Sequence, residues 1–148
     1  MGAQTSRAAD EARIRECIES WTSAVRAKDV DGVMSHYTPD AVTFDLAPPL
    51  QHAGADYRRG FEEWFRTFRG PVNIDVRVLR ITVGDDVAWS RSLNHLTGAR
   101  TSGEDTDVWM RATLCFRKVD GRWLAAHEHV SVPFYMDGSE RAATDLRP

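Results

Sequence analysis

Two histidines and an arginine in the stretch 107–134 carry the side chains best suited to acid/base chemistry. Imidazole titrates near neutral pH, whereas a guanidinium stays charged and can hold an anion. His129 and Arg111 are therefore a candidate proton-transfer pair with an anion clamp, and the plain alternative is a hydrogen-bonded pair in a polar core. His127 is closer to the predicted turn, which favours a structural role. The two histidines could also bind a metal with Asp45, but HxH alone is not a metal motif, so we expect no metal.

The pairing of the predicted hairpin decides which of these groups share a face. Alternating runs flank the sequence VDGR at 119–122, which indicates a hairpin. We favour a turn with Gly121 in the bulge position, because this register separates polar from apolar side chains most cleanly. A two-residue turn at 120–121 would instead shift the pairing by one and turn the histidines toward the apolar residues. In the favoured register the facing pairs are Lys118 with Arg122, Thr113 with His127, Arg111 with His129, and Trp109 with Ser131.

Glu128 is the one polar residue that this register leaves on the apolar face. The rest of that face consists of Met110, Ala112, Leu114, Phe116, Leu124, Ala126 and Val130. The polar face is either a pocket lining or an ordinary wet sheet surface.

Aromatic residues elsewhere in the chain could line a pocket for a flat, apolar or aromatic molecule. Such residues are more often core, and we expect both uses here. Asn94, on the strand before the hairpin, adds a candidate polar contact. Together with the hairpin residues, the candidate ligand-binding side chains are Tyr37, Phe44, Trp64, Asn94, Trp109, His127 and Ser131.

The spacing of apolar residues predicts the elements that position these groups. Recurrence at three and four residues indicates a helix over 10–28 and an unusually aromatic one over 55–68. Between them we expect a short helix through Ser35–His36, a strand at 41–45 and a Pro48-Pro49 loop. The later strands are predicted at 72–83 and 87–96 and in the hairpin. The apolar parity of strand 72–83 switches at Val78-Leu79, which predicts a bulge there.

Composition is that of an ordinary globular protein with one domain. The chain has 148 residues, of which 28% are charged and 42% hydrophobic, and its net charge is −3. Scattered arginines and no basic cluster argue against nucleic acid, and no apolar run is long enough for a membrane span. No signal peptide is recognisable, so we expect a cytoplasmic protein with Cys17 and Cys115 reduced. We divide the chain into a flexible lead-in (1–8), a single domain (9–134) and a C-terminal tail (135–148).

The order helix, helix, strand, helix and then long antiparallel strands indicates an α+β fold with helices on one face of a bent sheet. With these elements, the segments 36–42, 120–123 and 127–133 resemble the nuclear-transport-factor-2-like (NTF2-like) superfamily. The chain is most similar to its SnoaL-like (polyketide-cyclase-like) and ketosteroid-isomerase-like bacterial members. The resemblance implies a cone-shaped fold with three N-terminal helices on a strongly curved antiparallel sheet. It implies little about the reaction, because the superfamily includes isomerases, cyclases, dehydratases and binding domains.

The ketosteroid isomerase pattern YxxDAxxxD matches residues 37–45 without a gap, and the resemblance makes Asp45 the candidate base. The plain alternative for Asp45 is a loop cap or an ion pair with Arg111. By the same spacing, the family's oxyanion-binding tyrosine falls at Trp21, a candidate ligand-binding residue that is only a weak N–H donor. The second oxyanion donor of the family, a protonated aspartic acid, falls near Leu114, which cannot donate. A steroid isomerase of the known type is therefore disfavoured.

Our first hypothesis is a homodimer whose cavity binds an apolar cyclic carbonyl compound and moves a proton without a cofactor. Asp45 and His129 would do the acid/base work, and Arg111 would hold a carboxylate or enolate oxygen. The alternative is a non-catalytic ligand-binding or dimerisation domain that serves a pathway enzyme. The resemblance places the homodimer interface on the convex sheet face, where Glu128, if it lies there, should pair with an arginine.

Overall fold

The computed structural model describes residues 2–148, and Met1, the first residue of the predicted lead-in, lies outside them. Three helices precede most of the sheet. The helices are α1 (Gly2–Arg26), α2 (Val30–Met34) and α3 (Ala55–Arg66). The strands are β1 (Tyr37–Phe44), β2 (His52–Ala53), β3 (Asn73–Val83), β4 (Val87–Ala99), β5 (Asp105–Val119) and β6 (Arg122–Ser131).

The six strands form one sheet in the order β2-β1-β6-β5-β4-β3. All neighbours are antiparallel except β1 and β6, which run parallel. The predicted α+β fold is confirmed, with three N-terminal helices on a largely antiparallel sheet. Strand β1 begins at Tyr37 rather than Ala41, and the two-residue strand β2 was not predicted.

Helix α1 closes the sheet from its inner side. Ile14, Ile18 and Val25 recur at helical spacing and are buried, as the sequence predicts. The helix begins at Gly2 rather than Asp10, so residues 2–8 of the predicted lead-in are helical. Buried Asp10 accepts a hydrogen bond from the Trp123 indole N–H at 3.0 Å, which ties α1 to β6.

The predicted bulge in β3 is confirmed. Val78 adopts a positive φ of 52°, and the pairing of β3 with β4 shifts between Arg77 and Arg80. The extra residue bends the strand and increases the local twist. The bend lets the sheet curve around its inner face.

The β5–β6 turn differs from the favoured prediction. Asp120 and Gly121 both have positive φ, at 49° and 77°, which is the signature of a two-residue type I′ turn. Val119 therefore pairs with Arg122, and the register that we favoured is wrong. Asp tolerates the left-handed region and Gly enters it freely, so this dipeptide suits the turn locally.

A second irregularity then restores the grouping of the polar residues. Phe116 pairs with Ala125, whereas Cys115 pairs with His127, so Ala126 is the extra residue of a bulge. Beyond it His129 pairs with Thr113 and no longer with Arg111. The polar set does share one face, but this is the exposed outer face, and Glu128 lies on the inner face. Between the turn and the bulge, the two-residue turn exchanges two predicted apolar-face residues, because Trp123 and Ala125 are buried in place of Leu124 and Ala126.

The core lies between the three helices and the inner face of the sheet. Cys17 on α1 and Cys115 on the outer face of β5 are both free thiols. Among residues 2–148, no helix combines the length and the apolar character that a membrane crossing requires.

Candidate functional site

A cavity of about 860 Å³ lies between α3, the loop after β1 and the inner face of the sheet. Its volume is within the range of small-molecule sites, which are mostly apolar with a few placed polar groups. Six charged side chains also line this cavity. Asp45 and Glu128 lie on its β1–β6 side, Arg100 follows β4, and Asp56, Arg59 and Glu63 belong to α3. The aromatic and aliphatic wall consists of Trp21, Tyr57, Phe61, Trp64, Ile74, Leu96, Val108, Met110 and Val130.

Helix α3 supplies the aromatic wall because its apolar residues recur at three and four positions. Tyr57, Phe61 and Phe65 are buried, and Trp64 is partly buried against them. Phe61 contacts the rings of Tyr57 and Trp64 at centroid distances of 4.9 Å and 6.1 Å, edge to face in both cases. Such contacts fix ring orientations, so this wall is rigid.

Glu128 is the polar group at the floor of the cavity. Its side chain is buried, and Oε2 accepts hydrogen bonds from the hydroxyls of Tyr37 and Tyr57, both at 2.7 Å. Among the described residues none donates to Oε1. Burial raises the pKa of the Glu128 carboxyl, the two tyrosine hydrogen bonds partly offset this, and the charge of Asp45 raises it further. Relative to an exposed glutamate, this carboxyl is thus shifted toward its neutral acid form.

The two tyrosines respond to the same environment. Burial, and next the charge on Glu128, raise the pKa of the Tyr37 and Tyr57 hydroxyls well above the ordinary value. Both hydroxyls stay protonated and act as donors. The pair thus holds one carboxyl oxygen of Glu128 in place.

Asp45 lies at the rim of the same cavity, directly after β1. Its side chain is exposed, and Oδ1 accepts a hydrogen bond from the backbone N–H of Leu46 at 2.7 Å. Its charge acts on both Glu128 and Tyr57, raising the pKa of each. An exposed carboxylate thus faces a buried carboxyl across one cavity, an arrangement that separates a proton acceptor from a proton donor.

A second, small space of about 30 Å³ lies behind Glu128 and Trp21. Ser90, Leu114 and Glu128 form a row across three adjacent strands, so this space sits over Leu114. The buried hydroxyl of Ser90 and the buried indole N–H of Trp21 have no hydrogen-bond partner there. The Trp21 N–H lies near the Tyr37 hydroxyl and lowers the pKa of that hydroxyl. The two groups do not have the geometry of a hydrogen bond. A space of this size and polarity suits one water-sized polar group.

The predicted convergence of Asp45, His129, Arg111 and Trp109 on one hollow is wrong. Only Asp45 reaches the cavity, since the alternation of β5 and β6 turns the other three to the outer face. His129 and Arg111 are exposed, and Arg111 Nε donates to Ser131 Oγ at 3.1 Å.

The remaining outer-face residues form contacts with one another. His127 Nδ1 lies 2.6 Å from the Val42 carbonyl oxygen, which is the structural role that its position favours. Phe44 packs edge-on against the rings of His127 and His129, at 4.7 Å and 5.4 Å. Trp109 stacks flat on His95 at 4.6 Å. Phe44, Trp109, His127 and Ser131 therefore lie outside the cavity for which they were candidates.

Four predicted ligand-binding residues do lie at the inner site. Trp21 lines both spaces, Trp64 lines the large cavity, and Tyr37 and Asn94 line the small one. Sequence reasoning missed Glu128 as a site residue, together with the partner Tyr57 that holds it. The signal was present, because Glu128 was the single polar residue on an otherwise apolar strand face.

Leu114 and Glu128 are paired across β5 and β6. The resemblance to ketosteroid isomerases puts that family's protonated acid near Leu114, where this chain has no polar group. In this chain a buried carboxyl with a raised pKa, that of Glu128, lies instead at the position paired with Leu114 on the next strand. Among residues 2–148, no group of three or more His, Cys, Asp or Glu side chains is placed to hold a metal ion.

Comparison with known proteins agrees with this architecture. An NTF2-like protein of unknown function from Pseudomonas putida KT2440 is 34% identical, with a TM-score of 0.85 over 95% of this chain and 98% of that chain. A protein from Novosphingobium aromaticivorans named a "putative aromatic ring hydroxylase" is 23% identical, with a TM-score of 0.75 over 82% and 87% of the two chains. A "putative scytalone dehydratase" from the same species is 17% identical, with a TM-score of 0.81 over 95% of each.

The last two likenesses show the fold alone. No curated protein matches the chain. Residues 14–135 match the SnoaL-like domain family, which is most of the chain. The chain therefore belongs to the SnoaL-like domain family of the NTF2-like superfamily.

Proposed function

We propose that this protein binds a ring-containing carbonyl compound in the large cavity and moves a proton next to the carbonyl without a cofactor. The observation that carries the proposal is Glu128, a buried carboxyl held by two tyrosine hydroxyls in an otherwise aromatic cavity. A buried acid of this kind is costly to the fold, and perturbed acids in clefts are frequent at functional sites.

The two carboxyls take different roles in this proposal. Asp45, exposed at the rim, accepts the proton from the carbon next to the carbonyl, and the electron pair of that C–H bond moves toward the carbonyl oxygen. Neutral Glu128 donates a hydrogen bond from Oε1 to the developing enolate oxygen, as an oxyanion donor does. The proton then returns from Asp45 to another carbon in an isomerisation, or leaves with a β-hydroxyl as water in a dehydration.

The aromatic walls support this chemistry by excluding water. In an apolar cavity each hydrogen bond to a developing charge is stronger than in water. Trp21, Phe61 and Trp64 offer flat surfaces that suit a ring system. His129 and Arg111 have no part in the proposal, because they lie on the other side of the sheet.

Proton abstraction can be tested without the natural substrate. We expect the protein to catalyse exchange of deuterium from D2O into the carbon next to the carbonyl of 2-tetralone, followed by NMR. Asp45→Asn and Glu128→Gln should each lower the exchange rate at least about 100-fold, a typical loss for a base or an oxyanion donor. His129→Gln and Arg111→Gln are matched controls on the outer face and should stay within about twofold of the parent rate.

Ligand binding separates catalysis from simple carriage. Asp45→Asn and Glu128→Gln should bind 2-tetralone within about tenfold of the parent Kd, because they remove mainly interactions of the transition state. Binding without any exchange in the parent protein would overturn the enzymatic proposal. That result would support the alternative of a non-catalytic ligand-binding domain.

We also propose a homodimer through the outer sheet face. Trp89 and Phe44 are 43% and 37% exposed there, which is unusual for large aromatic side chains on a wet surface. Sedimentation at micromolar concentration should give twice the chain mass, and Trp89→Glu should give the chain mass. A parent protein that sediments as a monomer would contradict this interface. The cytoplasmic location stays a prediction.

A further inference from the structure

We propose that Arg100 is an anion-binding subsite in the large cavity, so that the ligand is an elongated ring compound with a carboxylate at the end away from Glu128. Arg100 lines the cavity beside Thr67 and Thr106. The inference rests on the proposed function, because it assigns the substrate class of the same cavity. It adds a recognition site that the acid/base chemistry does not use.

The Arg100 guanidinium is oriented before any ligand arrives. Its Nε donates to Thr106 Oγ1 at 2.6 Å, and its Nη1 donates to Thr67 Oγ1. Its Cζ lies 4.1 Å from the centre of the Phe68 ring, and Phe68 is buried. Three contacts on one planar group leave little rotational freedom, so an anion would meet a donor that is already in place. Within the described chain, Nη2 donates to no other group.

The charge of Arg100 also has no carboxylate partner. Among residues 2–148, no carboxylate oxygen lies within 4.0 Å of this guanidinium, although the side chain is half-buried. The acid that follows the next turn, Asp105, lies 3.7 Å from Arg69 instead. Buried or half-buried guanidinium groups are normally paired, and an unpaired one at a cavity wall favours binding of an anion.

Among the described residues, the other charged groups of the cavity do not pair with Arg100. Asp56 is paired with Arg59. Asp45 and Glu128 lie at the β1–β6 side of the cavity. Glu63, which lines the cavity one turn before Thr67, is the remaining acid, and it makes no ion pair with Arg100. A negatively charged ligand group would therefore meet a guanidinium that, among residues 2–148, has no carboxylate partner. The acids near it are Glu63 in the cavity and, in a neighbouring surface groove, Glu104 and Asp105.

The separation of Arg100 from Glu128 sets the shape of the ligand. Arg100 contacts Thr106, and Glu128 pairs with Leu114, eight residues farther along β5. At about 3.4 Å per residue this is roughly 27 Å of strand. Val108 and Met110 line the wall between them. A ligand that touches both groups is therefore elongated, apolar in the middle and anionic at one end.

The test compares a carboxylate with its uncharged amide. Biphenyl-4-carboxylate and biphenyl-4-carboxamide have the same rings and differ in charge, and their Kd values can be measured by calorimetry. We expect Arg100→Gln to weaken binding of the carboxylate about tenfold or more and to leave the amide within about twofold. Arg111→Gln is the matched control on the outer face and should change neither Kd. Glu63→Gln should tighten binding of the carboxylate by a few fold, because it removes a like charge from the ligand's surroundings.

The outcomes separate this inference from the proposed function. An equal loss for both probes in Arg100→Gln would show that Arg100 only ties α3 to β5, and no loss for either would show that the carboxylate binds elsewhere. Both results overturn the anion subsite and leave the deuterium exchange of 2-tetralone as an independent measure of the proposed function. If the parent protein binds neither biphenyl probe, the substrate class is wrong even where 2-tetralone is turned over.

Discussion

The two faces of the β5–β6 hairpin carry side chains that alternate along the same backbone yet experience different surroundings. His127 and His129 flank Glu128, and both imidazoles lie on the outer face, one against a carbonyl and one exposed. Glu128 points inward, where burial raises its pKa and two tyrosines donate to it. Glutamate is an ordinary acid in water, but burial gives Glu128 a raised pKa. The two histidines, which the sequence favours for acid/base chemistry, lie on the outer face instead.

The comparison teaches that environment outweighs residue type in assigning a site. Imidazole needs a cavity to act on a substrate, and His129 does not line the large cavity. A carboxyl, which is common and unremarkable at a surface, acquires a raised pKa once water is removed. Four experiments test this difference between the two faces.

Removing an inner side chain should cost far more stability than removing an outer one on the same strand. Phe116 is 4% exposed on β5, and Phe116→Ala should lower the free energy of unfolding by about 3–5 kcal/mol through lost burial and a residual cavity. Thr113→Ala, on the outer face of the same strand, should change it by no more than about 0.5 kcal/mol. Urea unfolding of both variants measures the difference, and equal losses would contradict the assignment of the two faces.

Taking one hydroxyl from the Glu128 site should have an intermediate effect. Tyr57→Phe removes one of two donors to Oε2, and we expect a loss of about 1 kcal/mol in the free energy of unfolding. The Glu128 pKa should rise further, since that hydrogen bond lowers it. Tyr135→Phe is the control, because its hydroxyl donates to exposed Asp145. A cost for Tyr135→Phe as large as that for Tyr57→Phe would argue against a special inner site.

Glu128 should also make stability depend on pH. Its pKa is higher in the folded than in the unfolded chain, so its favourable contribution is fully present below the unfolded value and is lost as pH rises through the folded value. Glu128→Gln cannot titrate, so the variant should gain in stability relative to the parent as pH rises from 4 to 8. Urea unfolding across that range tests this, with Thr113→Ala as a non-titrating control. Parallel curves for the parent and Glu128→Gln would show that the carboxyl is not perturbed.

The smallest change is expected on the outer face. His129 is exposed, and its ring meets Phe44 at a centroid distance of 5.4 Å. His129→Ala should change the free energy of unfolding by no more than about 0.5 kcal/mol, measured at a protein concentration where the mass in solution is unchanged. A loss of 2 kcal/mol or more would mean that His129 is buried in solution, contrary to its exposure in the single chain.

The local pattern of the sequence predicted most of the fold and part of the site. Helical spacing predicted α1 and α3, the parity switch at Val78 predicted the bulge in β3, and the YxxDAxxxD match drew attention to Asp45. Periodicity is a local property that each element carries in its own residues, so it can be recognised without the partners. The turn at Asp120-Gly121 was within reach as well, since the left-handed preference of this dipeptide is local.

Tertiary structure alone decided which face of the sheet encloses the cavity. A strand with alternating side chains has two faces, and only the position of α1 and α3 determines which one is closed to water. Ala126 illustrates the limit, because its bulge depends on the partner strand and places Glu128 on the inner face. The sequence was sufficient to predict most helices and strands, the α+β fold, and Glu128 as the one polar residue on an apolar strand face. The helices that pack over the inner face bury Glu128 and raise its pKa, and this could not be predicted locally because desolvation depends on neighbours that are distant in the chain.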